Sequence, residues 1–328
     1  MDIIESIAEK IRGKNCTIVY PEGLDPRTLG AAIKHQEMGI IHPIVLGNPE
    51  EIANKAKELG KDIGELEIID PNNYEDYENM VQAFVERRKG KATLEQAREM
   101  LRDRNYFGTM LVYLGLADGM VSGADGPTGD TIRPGLQIIK TRPGANMVSG
   151  CMVLIPADET KDRLIFADTA VTIQPTAEQL AEIANETAKT ALTFDVEPKV
   201  ALLSFSTKGS AHSPEQEKVA QAAAIAKEKY PELAVDGELQ FDAAYVPEVA
   251  KIKAPDSEIA GHARIFVFPD LQAGNIGYKL AQRLGGYTAL GPILQGMAKP
   301  VNDLSRGCNE REAYELALIT AMQAVDQR

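Results

Sequence analysis

The chain has 328 residues, about twice the usual length of one domain, which predicts two domains and excludes a single small module. Apolar residues make up 44% and charged residues 25%, values that exclude a disordered chain or a fibrous repeat. Asp and Glu outnumber Lys and Arg by 48 to 35, a formal net charge of -13. This acidity disfavours nucleic acid and anionic membranes as partners, so any bound anion needs a local basic site.

The first residues and the cysteines favour the cytoplasm. Residues 1–15 alternate apolar and charged residues at helical spacing, without the apolar core and cleavage site of a signal peptide. No apolar run approaches the roughly 20 residues that span a bilayer. Cys16, Cys151 and Cys308 are odd in number and far apart, so they indicate no disulfide framework, and we expect a reducing compartment.

The first 141 residues predict an α/β fold with a mostly parallel sheet, because short β-branched runs alternate with amphipathic stretches. In chain order, we predict a strand at 16–22, a helix at 25–38, a strand at 40–47, a helix at 49–60, a strand at 66–70, a long helical region at 74–101, a strand at 119–123, and a helix around Arg133 after a Gly-rich loop.

The pattern changes near residue 142, where two long β-type runs, 146–156 and 163–173, flank a charged turn and predict a hairpin. Helices at 176–192 and 214–228, strands at 199–206 and 264–270, and a helix after the GNIG sequence follow. The last residues form an amphipathic helix, which we expect to pack on the first domain. The prediction is a discontinuous first domain, 1–141 plus 292–328, and a second domain, 142–291.

Common cofactor and hydrolase motifs are absent from the sequence. GxGxxG, the P-loop pattern, HExxH and GxSxG do not occur, and the four His residues are scattered. A nicotinamide dehydrogenase, a nucleoside triphosphatase, a serine hydrolase and a metal site are therefore disfavoured.

A hydroxyl, a guanidinium and a glycine come directly before the C-terminal helix, at Ser305, Arg306 and Gly307. The N–H groups and the positive dipole end of a helix start attract anions, and an arginine can add a bidentate fork. These residues form a candidate oxyanion or phosphate site. Asn309 and Glu312 fit a relaxed capping box, so these residues alone favour a structural role for Glu312.

Other loops have weaker signals. Residues 123–137 lead from small residues into Arg133, which suits either an anion site or a connecting loop. The basic run that includes Arg87 ends a predicted helix, where it can simply complement the helix dipole. Gly274 and Gly277 are expected in tight turns. Cys308 would have a lowered pKa if exposed, and burial is the alternative.

Four blocks, TGDTIRPGLQ, SFSTKGS, FPDLQAGNIGYK and PVNDLSRGCN, in this order closely resemble the phosphate acetyltransferase family, also called phosphotransacetylases. The resemblance covers essentially the whole chain, and the last block is specific to this family and the related phosphate butyryltransferases. It implies acetyl transfer between coenzyme A, as a substrate, and inorganic phosphate, with acetyl-CoA and acetyl phosphate as the other small-molecule substrates. It also implies no metal, no tightly bound cofactor, two α/β domains of the isocitrate-dehydrogenase type with the active site in the cleft between them, and a homodimer.

The resemblance assigns roles residue by residue. The catalytic serine and arginine of the family match Ser305 and Arg306, and Glu312 takes the place of an Asp as the base. The resemblance therefore favours catalysis for Glu312, which can cap the helix as well. The further residues matched to the cleft are Arg133, Thr131, Thr128 and Arg87 as ligands of phosphate or acetyl phosphate, and Ser206, Lys208, Asn275, Tyr278 and Lys279 as cleft contacts.

The chemistry of thioester formation agrees with this assignment. A thiol with a pKa near 8.5 is mostly protonated at neutral pH, so a carboxylate base helps coenzyme A to attack. The oxyanion and the leaving phosphate need cationic and N–H donors. No Ser or Cys is predicted beside an activating His, which favours direct transfer in a ternary complex. Two alternatives stay open: an enzyme for a longer acyl group such as butyryl, and a non-catalytic phosphate-binding or CoA-binding regulatory relative.

Overall fold

The structure, a computed structural model, describes residues 3–158 and 160–328. This part of the chain divides into two compact α/β units, one made of the residues up to 144 together with 297–328, the other of 145–296. The domain boundaries predicted from the sequence, before 142 and before 292, stay a prediction. In the described ranges, no helix is both long enough and apolar enough to cross a bilayer.

The first unit contains a five-stranded sheet in which every strand pair is parallel. Elements are numbered along the whole chain, and the strands of this unit are β1 (Thr17–Tyr20), β2 (His42–Leu46), β3 (Glu67–Ile69), β4 (Gly119–Ser122) and β11 (Val301–Asp303). Their order across the sheet is β11-β4-β1-β2-β3. The C-terminal segment therefore supplies an edge strand of a sheet that the N-terminal half begins.

The helices of the first unit are α1 (Ile3–Ile11), α2 (Pro26–Met38), α3 (Pro49–Glu58), α4 (Tyr77–Arg88), α5 (Leu94–Met100), α6 (Arg104–Leu114), α7 (Thr128–Pro134), which continues into a π-helical turn (Gly135–Ile139), and α13 (Glu310–Asp326). The long helical region predicted over 74–101 consists of two helices, α4 and α5. Lys89 and Gly90 adopt left-handed backbone angles, with φ of 49° and 80°, which end α4. A capping box at Thr93 then starts α5.

The second unit has a mixed six-stranded sheet of β5 (Ser149–Pro156), β6 (Leu164–Ala167), β7 (Val200–Leu203), β8 (Val235–Leu239), β9 (Ile265–Val267) and β10 (Tyr287–Gln295), in the order β10-β5-β6-β9-β7-β8. β5 and β6 pair antiparallel, as the predicted hairpin requires, whereas β6, β9, β7 and β8 are parallel. The helices are α8 (Ala177–Thr193), α9 (Pro214–Lys229), α10 (Phe241–Tyr245), α11 (Pro247–Lys253) and α12 (Leu271–Leu284).

Helix α12 begins earlier than the sequence predicts, since Asp270 caps it. Gly274 and Gly277 consequently lie inside the helix and not in turns. A Cβ on Gly274 would lie 2.2 Å from the carbonyl oxygen of Asp168, and one on Gly277 would lie 2.9 Å from the ring of Phe268. These glycines therefore allow the helix to pack closely on the strand ends below it.

Helix α13 is fixed against α2, and this packing determines where the segment before α13 lies. The buried ring of His35 stacks on Tyr314, with centroids 4.1 Å apart, and its Nε2 lies 3.0 Å from the Tyr314 carbonyl oxygen. Burial lowers the pKa of His35 to about 3, so the imidazole is neutral and acts as a packing group.

Candidate active site

The loops that follow β1, β4 and β11 lie at one edge of the first sheet. The register pairs Asp303 with Ser122 and, one strand further, Met120 with Val19, so these neighbouring parallel strands end side by side. The carboxyl ends of parallel strands are where α/β proteins bind ligands. The structure thus brings the segment containing Ser305 and Arg306 to the same edge as the Gly-rich segment that starts at Gly123.

The Ser305–Gly307 turn exposes a hydroxyl group and a guanidinium group that can both donate to a ligand. All three residues are exposed. The Ser305 hydroxyl oxygen accepts the Gly307 N–H at 3.2 Å, which leaves the hydroxyl proton available to a ligand. Among residues 3–158 and 160–328, no group pairs with the Arg306 guanidinium. A hydroxyl and a fully available guanidinium therefore face solvent directly before a helix start, as an anion site requires.

The capping box predicted at the start of α13 is present. Asn309 Oδ1 accepts the Glu312 N–H at 2.9 Å, and Glu312 Oε2 accepts the Asn309 N–H at 3.0 Å. Glu312 is half-buried, and within the described chain its Oε1 has no hydrogen-bond partner. The carboxylate is therefore oriented by the helix start and keeps one oxygen that can accept a proton.

Asp303 connects the end of β11 to the start of α7. Its Oδ2 accepts the Thr128 hydroxyl at 2.7 Å, and Oδ1 is buried without a partner in the described structure. Burial raises the pKa of Asp303 to about 6. Gly123, with φ of 113°, permits this arrangement, because a Cβ at that position would lie 2.3 Å from Asp303 Oδ1. Thr131 is also buried, and its hydroxyl oxygen lacks a hydrogen-bond partner among the described residues.

The two arginines matched to the cleft have different surroundings. The side chain of Arg133 is 62% exposed and has one carboxylate nearby, that of Asp130 at 3.8 Å. Arg87 donates from Nε to the carbonyl oxygen of Ile138 and from Nη2 to that of Ile139 at 2.9 Å. Arg133 is therefore available to an anion, whereas two donor groups of Arg87 are occupied by the π-helical turn.

Cys308 is buried, with 7% of its surface exposed, and burial raises the pKa of its thiol to about 11. Of the two alternatives the sequence left open, burial is the correct one. Cys151 is also fully buried, and burial raises its pKa strongly. Both thiols are therefore protonated at neutral pH, and neither has the environment of an activated nucleophile.

Five of the predicted contacts lie in the second unit, in two groups. The Ser206 hydroxyl donates to Glu238 Oε1 at 3.1 Å, and Lys208 Nζ lies 2.6 Å from Asp236. On α12, Asn275 donates to the carbonyl oxygen of Thr169 at 3.2 Å and accepts from Lys279 at 2.7 Å. Tyr278 is buried, with 8% exposed. Their role as cleft contacts stays a prediction.

The sequence analysis missed a buried carboxylate in the first unit. Glu22 follows β1 and is 1% exposed. Its two oxygens accept the N–H groups of Gly123, Ala124 and Asp125 at 3.1, 2.9 and 3.1 Å. The start of the Gly-rich loop therefore directs its N–H groups at this carboxylate and not at a ligand. The sequence feature that could have identified Glu22 is its position as a charged residue immediately after a buried strand.

A family profile described as phosphate acetyl/butaryl transferase matches residues 2–321. The chain belongs to this family. A phosphate acetyltransferase from Bacillus subtilis is 60% identical over 99% of both chains, and one from Staphylococcus epidermidis is 54% identical over 99% of both chains. The predicted membership is confirmed, and with it the predicted class of enzyme, an acyltransferase.

Solved structures agree with the fold. A phosphotransacetylase from Streptococcus pyogenes, 57% identical, superposes with a TM-score of 0.95 over 99% of this chain and 98% of that chain. A branched-chain phosphotransacylase from Enterococcus faecalis, 19% identical, has a TM-score of 0.68 over 94% of this chain and 99% of that chain, which shows a common fold. The predicted α/β class with mostly parallel sheets is confirmed.

Proposed function

We propose that this protein is a phosphate acetyltransferase, which reversibly converts acetyl-CoA and phosphate into acetyl phosphate and coenzyme A. The observation that carries the proposal is the exposed Ser305–Arg306 pair before α13, in a chain that is 60% identical to a protein named phosphate acetyltransferase. Acetyl is favoured over a longer acyl group because the relatives at 53–60% identity all have that name.

Transfer proceeds by attack of the coenzyme A sulfur on the acetyl carbonyl carbon. Glu312 accepts the thiol proton as the C–S bond forms, and the carbonyl electrons move to oxygen. The tetrahedral intermediate collapses, the bond to the phosphate oxygen breaks, and phosphate leaves with the electron pair. Ser305 and Arg306 donate hydrogen bonds to the oxyanion and to the phosphate. They stabilise the negative charge that develops on these groups because the donors are already oriented and need not reorganise.

Direct transfer is supported by the surroundings of Ser305. Within the described chain, the hydroxyl oxygen has one hydrogen bond, from the Gly307 N–H, and no base activates it. A covalent acetyl-enzyme therefore has no prepared nucleophile. Isotope exchange between acetyl phosphate and labelled phosphate without coenzyme A tests this, and we expect none. Rapid exchange would contradict direct transfer.

The remaining predicted ligands are proposed with different support. Arg133, exposed and paired only loosely, is the best second phosphate ligand. Thr128 and Thr131 lie on the same helix but have weaker support, because the Thr128 hydroxyl donates to Asp303 and Thr131 is buried. Arg87 has fewer available donors.

Among residues 3–158 and 160–328, no three His, Cys, Asp or Glu side chains are grouped to hold a metal ion. A cytoplasmic location and a homodimer, both expected from the sequence, are part of the proposal.

The decisive experiment measures thioester formation by absorbance, with coenzyme A and either acetyl phosphate or butyryl phosphate. We expect acetyl phosphate to have the higher kcat/KM. A methylene or two changes pocket discrimination by about 1–3 kcal/mol each, so the ratio separates the two acyl classes. Preference for butyryl phosphate would support the longer-acyl alternative, and inactivity with both would support the non-catalytic one.

A further inference from the structure

Glu22 and Arg27, neither of which the reaction uses directly, contact the main chain of the two loops that follow β4 and β11. Glu22 is separated from the loop after β4 by about a hundred positions, yet its carboxylate accepts three successive N–H groups of that loop. Three hydrogen bonds from consecutive N–H groups to one buried carboxyl group fix the direction of each peptide plane. Residues 123–125 are thus fixed from their N–H side.

Arg27, in the first turn of α2, fixes the same loop from its carbonyl side. Its Nη2 donates to the carbonyl oxygen of Ala124 at 2.6 Å. Its Nη1 donates to the carbonyl oxygens of Arg306 at 2.7 Å and Cys308 at 3.1 Å. One guanidinium therefore connects the loop after β4 to the loop that presents Ser305 and Arg306.

The guanidinium itself is held in place. Asp25, the N-cap of α2, accepts from Arg27 Nε at 2.9 Å and from Nη2 at 2.7 Å. The Arg27 side chain is 25% exposed and that of Asp25 is 8% exposed. The bidentate pair fixes the plane of the fork, so the two carbonyl-binding edges of Arg27 point in set directions.

We propose that Glu22 and Arg27 are positioning residues for acetyl transfer, which hold the loops after β4 and β11 in one arrangement and so fix Arg306 relative to the bound phosphate. The inference rests on the proposed roles of Ser305 and Arg306. Catalysis by a preorganised donor is sensitive to displacement, since an error of about 1 Å can lower the rate by about 10². A positioning residue should therefore affect kcat more than the KM for either substrate.

The test uses Arg27→Lys. An ammonium group keeps the charge but cannot bind Asp25 and the carbonyl oxygens of both loops at the same time. Arg98→Lys is the matched control, since Arg98 forms a bidentate pair with the exposed Glu78. We expect kcat of Arg27→Lys to fall by about 10-fold to 100-fold, with the KM values for acetyl phosphate and coenzyme A changed by less than about threefold. The control should match the unsubstituted protein.

Hydrogen exchange gives a readout that does not depend on activity. The amide of Cys308 donates to the Ser305 carbonyl oxygen, and that of Leu304 donates to the Ser122 carbonyl oxygen. In Arg27→Lys both should exchange faster, by about tenfold or more, whereas amides of β2 should not change. Unchanged exchange at Cys308 and Leu304, or faster exchange with normal kcat, would overturn the inference.

Glu22→Gln provides a second variant if Arg27→Lys does not fold. Glutamine keeps one acceptor oxygen and replaces the other with an NH2 donor group that cannot accept, so the amides of Gly123, Ala124 and Asp125 should exchange faster and kcat should fall, with Glu78→Gln as the control. Normal exchange at these amides would overturn the role of Glu22. Failure of the proposed function looks different, since the unsubstituted protein would then form no thioester from acetyl phosphate.

Discussion

The carboxylate of Glu312 and the side-chain amide of Asn309 each accept the backbone N–H of the other residue, at 3.0 and 2.9 Å. The same reciprocal pair occurs at the start of α5 and α8, where the third helical position is Gln96 and Gln179. Glutamine therefore completes a capping box at the third position of two other helices in this chain. A carboxylate at 312 adds something that capping alone does not require, the capacity to accept a proton.

Replacement of Glu312 by Gln separates capping from catalysis. We expect the melting temperature of Glu312→Gln to stay within about 2 °C, because the capping box persists and the change in stability is small. The rate should fall by roughly 10² to 10⁴, the span of a positioned general base. The loss should shrink as pH rises past the thiol pKa, because solvent then supplies thiolate. A rate defect that is constant from neutral to alkaline pH would argue against proton transfer to Glu312.

Arg306→Lys should lose about 10² in kcat although the charge is retained. A point ammonium cannot reproduce the planar fork against a phosphate or an oxyanion, and loss of one oxyanion donor costs about this much. Steady-state kinetics with varied acetyl phosphate measures the effect. Arg311→Lys, an exposed arginine paired with Glu315 on the same helix, is the control and should be fully active. Near-normal turnover of Arg306→Lys would exclude Arg306 from the reaction.

The raised pKa of Asp303 predicts a pH-dependent contribution to stability. Its folded pKa is about 6, above the unfolded value near 3.9, so the protonated form is favoured in the folded state. The contribution of Asp303 to the free energy of unfolding is fully present below about pH 4. It is lost as pH rises to about 6, by up to about 1.4 kcal/mol per pH unit. Urea unfolding should therefore show the stability of the unsubstituted protein falling relative to Asp303→Asn across this window.

Asp158→Asn is the control of opposite sign. The hydrogen bond from Thr160 lowers the pKa of Asp158 in the folded state, so its contribution is present above the unfolded pKa and is lost as pH falls. The free energy of unfolding of the unsubstituted protein, relative to that of Asp158→Asn, should therefore rise with pH. The change should be smaller than for Asp303→Asn, because the Asp158 carboxylate is exposed. A difference for Asp303→Asn that is flat between pH 4 and 6 would contradict the raised pKa.

Gly274→Ala should destabilise the second unit by about 1–3 kcal/mol, because the added methyl group overlaps the Asp168 carbonyl oxygen and the backbone must shift. Gly129→Ala is the matched control in a helix, since the nearest atom to its Cβ is Arg133 Nη2 at 3.8 Å. That substitution should be neutral or stabilise the protein by up to about 1 kcal/mol. Urea unfolding measures both, and equal stabilities would show that α12 does not need the small residue.

The sequence by itself determined the features that depend on neighbouring residues. Alternation of buried strands with capped helices follows local propensity and hydrophobic period, so the α/β class could be predicted, and so could the capping box at Asn309 and Glu312. The specific block around Ser305 and Arg306 identified the family. The exact break between α4 and α5 at Lys89 and Gly90 was not predicted, although a glycine after a basic run is a local signal for a helix end.

Only the tertiary structure decided what surrounds the candidate site. β11 pairs with β4 although most of the chain separates them, and Arg27 reaches the Arg306 carbonyl oxygen across 279 positions. Such contacts depend on strand order, which the pattern of single segments does not encode. Glu22 illustrates the consequence, since its sequence context indicates only a turn, while its burial against three N–H groups makes it a structural part of the loop after β4. The residues proposed to react follow from a local sequence block, whereas those proposed to hold them in place are recognised only from the folded structure.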